Sequence, residues 1–212
     1  IALAKAHDLS LIFVLLDQTF ADKAEIVNNL QLGGRAGIVN DHDGRSSFLY
    51  NALVPLFQRY AGDKTIIGWE LISNPEHHTF MPGPGDDEGK RFSFEEMKSF
   101  LKEAADLAKE HATQPFTIGN VSYAYLKTWA ELEVDYMQSW APLRNTEGEI
   151  RAPRSQLPVL VSSIHSRDSE LKPADLLDET VAAGYQGAFV WSFRDSGTDS
   201  SAPQKAPAFL EW

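Results

Sequence analysis

Short apolar runs recur along this chain, and most are followed by a stretch in which apolar residues return every three or four positions. Leu9 to Asp17, Thr65 to Ser73, Pro115 to Val121, Val134 to Ala141, Leu157 to His165 and Gly187 to Asp195 read as strands. Most are apolar throughout rather than alternating, although Val134 to Ala141 is half polar. Continuous apolar strands spaced by helices indicate a parallel sheet buried on both faces.

The intervening segments carry helix signals. Ser93 and Glu96 have capping-box spacing, and Met97, Phe100, Leu101, Ala104 and Ala108 then share one face. Phe48 to Tyr60 places Leu49, Leu53, Leu56 and Phe57 at helical spacing, and Ser122 to Leu132 is a shorter helix. Another opens near Pro173, carries Leu176, Leu177 and Val181, and stops at Gly184. Ile1 to His7 reads as the last turns of a helix begun upstream.

Two stretches lack periodicity. Asp17 to Ser47 includes Gly33-Gly34-Arg35 and Asp41-His42-Asp43-Gly44-Arg45, and His77 to Arg91 includes Pro82-Gly83-Pro84-Gly85-Asp86-Asp87. Both read as long irregular loops that follow strands, and loops of this length are uncommon unless functional or disordered. The pattern as a whole predicts an α/β fold of about six β/α steps in a single domain over residues 1–212.

With 212 residues, 43% of them hydrophobic, the chain can bury one sizeable core. Its 30 acidic against 19 basic residues, a net charge of −11, argue against nucleic acid and against anionic membrane as partners, and are compatible with neutral sugars. There is no cysteine, hence no disulfide framework and no thiolate chemistry. No apolar run reaches bilayer-spanning length, and no basic-apolar-small leader pattern is visible, so both extracellular and cytoplasmic settings stay open.

Gly68-Trp69-Glu70-Leu71-Ile72-Ser73-Asn74-Pro75-Glu76 resembles the fourth barrel strand of clan A glycoside hydrolases, the cellulases, mannanases and relatives, which reads Gly-Trp-Glu-Leu-x-Asn-Glu-Pro. Leu157-Pro158-Val159-Leu160-Val161-Ser162-Ser163-Ile164-His165 resembles their seventh strand, and Gly187 to Ser192 their eighth. The resemblance covers about Ile1 to Asp195. It implies a TIM-barrel-like (β/α) fold of the glycoside hydrolase type, reduced to about six β/α units, strands three to eight of the family. The first two strands and a proper helix after the last are expected to be missing, since a full barrel takes about 250 residues.

The same resemblance locates two substituted positions. A retaining glycosidase needs two carboxyl groups about 5–5.5 Å apart, one acid/base and one nucleophile. The family's acid/base glutamate falls on Asn74 and its nucleophile on Ser163. An amide does not titrate in the working range, and a serine needs an activating base to attack carbon. Glu76 is the nearest surviving acid; were the strand to run on extended, it would share the mouth with Asn74. Glu70 has the parity of Asn74 and reads as a buried ion-pair member, with Arg35 or Arg194 as partner. Trp191 matches the tryptophan that floors the family's sugar subsite, and Trp140 stands where the family has His or Tyr. A ligand site built from Trp191, Trp140, Asn74, Asn120 and His165 follows from the resemblance, with plain core packing of an aromatic strand as the alternative for Trp191.

His77, His78, His165, Asp41, His42 and Asp43 raise the question of a metal. Asp-His-Asp-Gly lacks the spacing of a calcium loop or zinc site, and adjacent histidines point in different directions, which leaves only a metal built across two loops. The expectation is no metal and no cofactor. Three functions stay open: a non-catalytic carbohydrate binder, an active hydrolase with relocated carboxylates (Glu76, Asp195 or Asp17), and a structural or interaction protein or gene fragment. With strands one and two missing, two apolar sheet edges would be open, and a homodimer covering them is expected.

Overall fold

The computed structural model describes residues 1–82, 89–119, 121–164 and 173–191. The chain forms two compact units, Ile1–Ile118 with Lys127–Asp135, and Gly119–Leu126 with the described part of Tyr136–Trp212.

The first unit runs α1 (Ala2–Ala6), β1 (Leu11–Val14), β2 (Glu25–Val27), β3 (Leu30–Leu32), α2 (Gly37–Asn40), α3 (His42–Ser46), α4 (Val54–Tyr60), β4 (Ile66–Ser73), β5 (Thr79–Phe80), β6 (Phe92–Ser93), α5 (Phe94–His111), β7 (Phe116–Gly119) and α6 (Leu126–Ala130). Its sheet has the order β1-β4-β7, with β1 parallel to β4 and Val14 opposite Glu70. All of β4 except Ile67 is buried, Glu70 and Ser73 included, as in a strand covered on both faces. Trp69 anchors this core: its ring stacks on Phe13 at 5.7 Å and meets Phe57 edge-on at 5.3 Å, while its indole N–H donates to Gln114 Oε1 at 3.2 Å. The strand signature shared with the glycoside hydrolases is thus in large part a packing signature here.

α5 forms as the sequence predicts. The Ser93 hydroxyl accepts from the Glu96 N–H while Glu96 Oε2 accepts from the Ser93 N–H, and Met97, Phe100, Leu101, Ala104 and Ala108 are buried. The Phe48–Tyr60 helix departs from regularity: Ser47–Leu53 is π-helical and continues directly into α4. Pro55 explains the widening, because it has no N–H for the Asn51 carbonyl and its ring crowds that turn.

Asp17–Ser47 is not the irregular loop expected. It holds a β2–β3 hairpin and two short helices. Asn28 and Asn29 both have positive φ, 51° and 63°, the conformation that a two-residue hairpin turn demands. Asn-Asn is a weaker turn signal than Asn-Gly, so the hairpin is hard to see in the sequence. In His77–Arg91, Thr79–Phe80 pairs with Phe92–Ser93 just beyond it.

The second unit runs β8 (Met137–Ser139), β9 (Val159–Ile164), α7 (Pro173–Ala182) and β10 (Gly187–Val190). Its sheet has the order β10-β9-β8, parallel throughout. Each of the six predicted strand segments therefore contains a strand, shorter than predicted. The alternation is less regular than six β/α steps: β8 is joined to β9 without a helix, through a loop bridged at Arg144 and Ile150. Among the described residues the strands pair as two three-stranded and two two-stranded sheets, with no closed ring of pairing.

Candidate functional site

In a parallel α/β sheet the carboxyl ends of the strands carry the chemistry, because the loops leaving them are free of packing duty. Each unit has one such edge.

In the first unit the chain leaves β4 at Asn74, whose φ of 52° and ψ of 62° are left-handed. Asn tolerates this conformation better than other non-glycine residues, and the proline that follows disfavours the right-handed alternative. Pro75–His77 is then a single 3₁₀ turn, closed by the Thr79 hydroxyl donating to the Pro75 carbonyl at 2.6 Å. The run past Ser73 is consequently not extended, so the alternation that would aim Glu76 with Asn74 does not apply. Glu76 is 8% exposed and its Oε1 accepts from the Trp129 indole N–H at 3.1 Å. Trp129 itself is fully buried on α6. Asn74 is half-buried and donates to Gln18 Oε1 at 3.5 Å. Glu70 is buried, as its parity suggests, and Arg35 is exposed.

Directly after Glu76 lie His77 and His78, and Asp22 comes to them from the loop after β1. One ligand atom from each of Asp22, His77 and His78 lies within 4.8 Å of the others. Asp22 is held by its backbone: its N–H donates to the Thr19 carbonyl at 2.9 Å and its own carbonyl accepts from Gly34 at 2.7 Å. Gly33, at φ +64°, must be glycine, since a Cβ there would come within 2.8 Å of the Asp22 carbonyl oxygen. Lys90 donates to the carbonyls of Glu76 and His77, pinning the turn from the other side. Burial holds the His78 imidazole below its ordinary pKa, with the neighbouring His77 adding to the effect. The sequence drew attention to His77 and His78 but not to Asp22, which is far from the two histidines along the chain.

Asp41, His42 and Asp43 do something else. Asp41 caps α3 by accepting from Gly44 N–H at 2.7 Å, while His42 and Asp43 pair with each other in solvent. Its hydrogen bond to the Asp43 carboxylate raises the His42 pKa.

In the second unit the edge is aromatic. Trp140 follows β8 and Trp191 follows β10, the two strands that flank β9. The Ser163 N–H donates to the Trp140 carbonyl at 3.1 Å, and the Trp191 N–H donates to the Ile164 carbonyl at 2.9 Å. The ladder therefore sets both tryptophans at the carboxyl end of one sheet, on either side of Ser163, two strand spacings or about 10 Å apart. Trp140 is 52% exposed and Trp191 47% exposed, whereas Ser163 is buried. Asn120, His165, Asp195 and Arg194 lie outside the described residues.

Known folds match this arrangement. An endo-1,4-β-mannanase from Eisenia fetida superposes with a TM-score of 0.71 at 14% identity, covering 94% of this chain and 64% of the mannanase. A β-1,4-D-mannanase from Cryptopygus antarcticus gives 0.68 at 17% identity, with 93% and 64% covered, and a β-mannanase from the blue mussel Mytilus edulis gives 0.67 at 16%, with 92% and 65% covered. The chain thus spans less than two thirds of the length of these enzymes. No protein-family model matches the chain, and no curated protein sequence does. The likeness to the glycoside hydrolase fold, first seen in the strand motifs, holds at the level of structure.

Proposed function

We propose that this chain is a carbohydrate-binding protein on a glycoside hydrolase fold, and that it does not act as a retaining glycosidase. The observation that carries the reading is the carboxyl edge of the β8-β9-β10 sheet, where two exposed indoles flank a buried serine in the nucleophile's place. Indole faces suit the C–H faces of sugar rings, and they work without any acid. Asn74 stands where the acid/base is expected, and general acid–base catalysis alone is worth about 10²–10⁴-fold.

The similar folds are named as β-1,4-mannanases, which makes β-1,4-linked manno-oligosaccharides the first ligands to test. Two stacking platforms with few polar contacts support weak binding, of about 1 mM or −4 kcal/mol. The alternative of a relocated acid rests on Glu76, and the buried hydrogen bond from Trp129 makes that carboxylate a structural acceptor rather than a proton donor at a strand mouth.

Titration with mannohexaose, followed by tryptophan fluorescence, tests the binding. The expected result is a saturable shift that Trp191→Ala removes and Trp140→Ala weakens. No shift across manno-, cello- and xylo-oligosaccharides would reject sugar binding in favour of an interaction protein.

A further inference from the structure

We infer that Asp22, His77 and His78 form a binding site for a divalent transition ion of the zinc class, bracing the loop after β1 to the exit of β4. The inference is independent of the carbohydrate reading.

The argument starts from the His78 ring. Its side chain is 3% exposed, and Nδ1 faces the Gly89 carbonyl at 3.4 Å. A carbonyl can only accept, so Nδ1 carries the proton and Nε2 presents a lone pair. That lone pair faces Asp22 Oδ1 at 3.3 Å, in an orientation that makes no hydrogen bond, and Nε2 is a buried polar atom with no hydrogen-bond partner among the described residues. Two acceptors facing each other in a buried place are unfavourable unless a proton or a cation lies between them. A cation held by both atoms removes that conflict and accounts for the missing hydrogen bond.

The distance fits such an ion. Ligand atoms each about 2.0–2.2 Å from a tetrahedral zinc are separated from one another by about 3.3–3.5 Å. The Asp22–His78 pair already stands at one edge of that tetrahedron. His77 supplies the third corner: its ring meets the His78 ring edge-on at 4.6 Å, and one of its ring nitrogens lies within 4.8 Å of the other two ligand atoms. The fourth position is left to water.

The second shell is also in place. A histidine that ligates through one nitrogen commonly donates from the other to a carbonyl, as His78 does to Gly89. The Gly33-Gly34 turn and the Lys90 contacts fix the two backbones that carry the ligands. Two imidazoles and one carboxylate favour zinc and its neighbours over magnesium or calcium, which prefer all-oxygen sites. The adjacency of His77 and His78, which would separate them on a strand, is harmless on a 3₁₀ turn.

The test uses tag-free, chelator-stripped protein titrated with Zn²⁺ by calorimetry, and with Co²⁺ by visible absorption, where tetrahedral N/O coordination gives an intense band. The expected result is one ion per chain, with affinity reduced at least tenfold by His77→Ala and by Asp22→Asn, and unchanged by His42→Ala. His77 is exposed and Asp22 partly so, which lets both variants fold; circular dichroism verifies it. An absence of binding at millimolar Zn²⁺, or equal affinity in wild type, His77→Ala and Asp22→Asn, would overturn the assignment.

Discussion

Replacing Trp129 with phenylalanine isolates the contact that decides what Glu76 is for. The indole N–H donates to the buried Glu76 carboxylate at 3.1 Å, and the ring packs against Phe94 at 5.6 Å between centroids. A hydrogen bond to a charged group is worth about 1.5–3 kcal/mol. Shrinking an indole to a phenyl in a closed site adds about 1 kcal/mol of lost packing. The sum is about 3 kcal/mol, or a fall in Tm of about 6–12 °C at this chain length. Glu76→Gln keeps a carbonyl acceptor opposite the same N–H and should cost only about 1 kcal/mol. Urea denaturation monitored by circular dichroism measures both. Should Trp129→Phe stay within about 0.5 kcal/mol of wild type, the indole is not holding the carboxylate and the structural reading of Glu76 fails.

Ser93→Ala should destabilise α5 by about 1 kcal/mol at pH 7, by removing both the acceptor for Glu96 N–H and a donor to its carboxylate. The Ser93 hydrogen bonds lower the Glu96 pKa, so their stabilisation is present above the unfolded value of about 4.3 and is lost as pH falls through the folded one. The difference between Ser93→Ala and wild type should therefore shrink in denaturant titrations below about pH 4, and a difference constant with pH would contradict the capping role. We also propose a homodimer that covers the apolar end strands: β1 and β10 each stand at the end of their sheet, with Val14 and Phe189 exposed. Light scattering at low micromolar concentration should give twice the chain mass, and a stable monomer would reject the dimer.

Much of the fold was legible because the strongest strands are buried on both faces and so read as unbroken apolar runs. β4 and β9 stand within one or two residues of the predicted segments, and α5 begins at the capping box. What escaped was local backbone chemistry. The Asn28-Asn29 turn lacks the glycine that would advertise a hairpin, and the left-handed Asn74 breaks the alternation on which the facing of Glu76 was argued. The site residues divide along the same line. Trp140 and Trp191 were singled out by the family resemblance, and each stands just past the end of a strand. The Asp22 cluster and the Trp129–Glu76 bond join residues distant in sequence, and no spacing rule reaches across that gap.

The most direct measurement of the central claim is reducing-end release from β-1,4-mannan and mannohexaose by the purified chain over many hours. With Asn74 and Ser163 where the resemblance expects the two carboxylates, the account predicts release no greater than in a protein-free blank, in the same preparation that shifts tryptophan fluorescence on mannohexaose. Steady turnover that Glu76→Gln abolishes would contradict it, and would return the relocated acid to the centre of the mechanism.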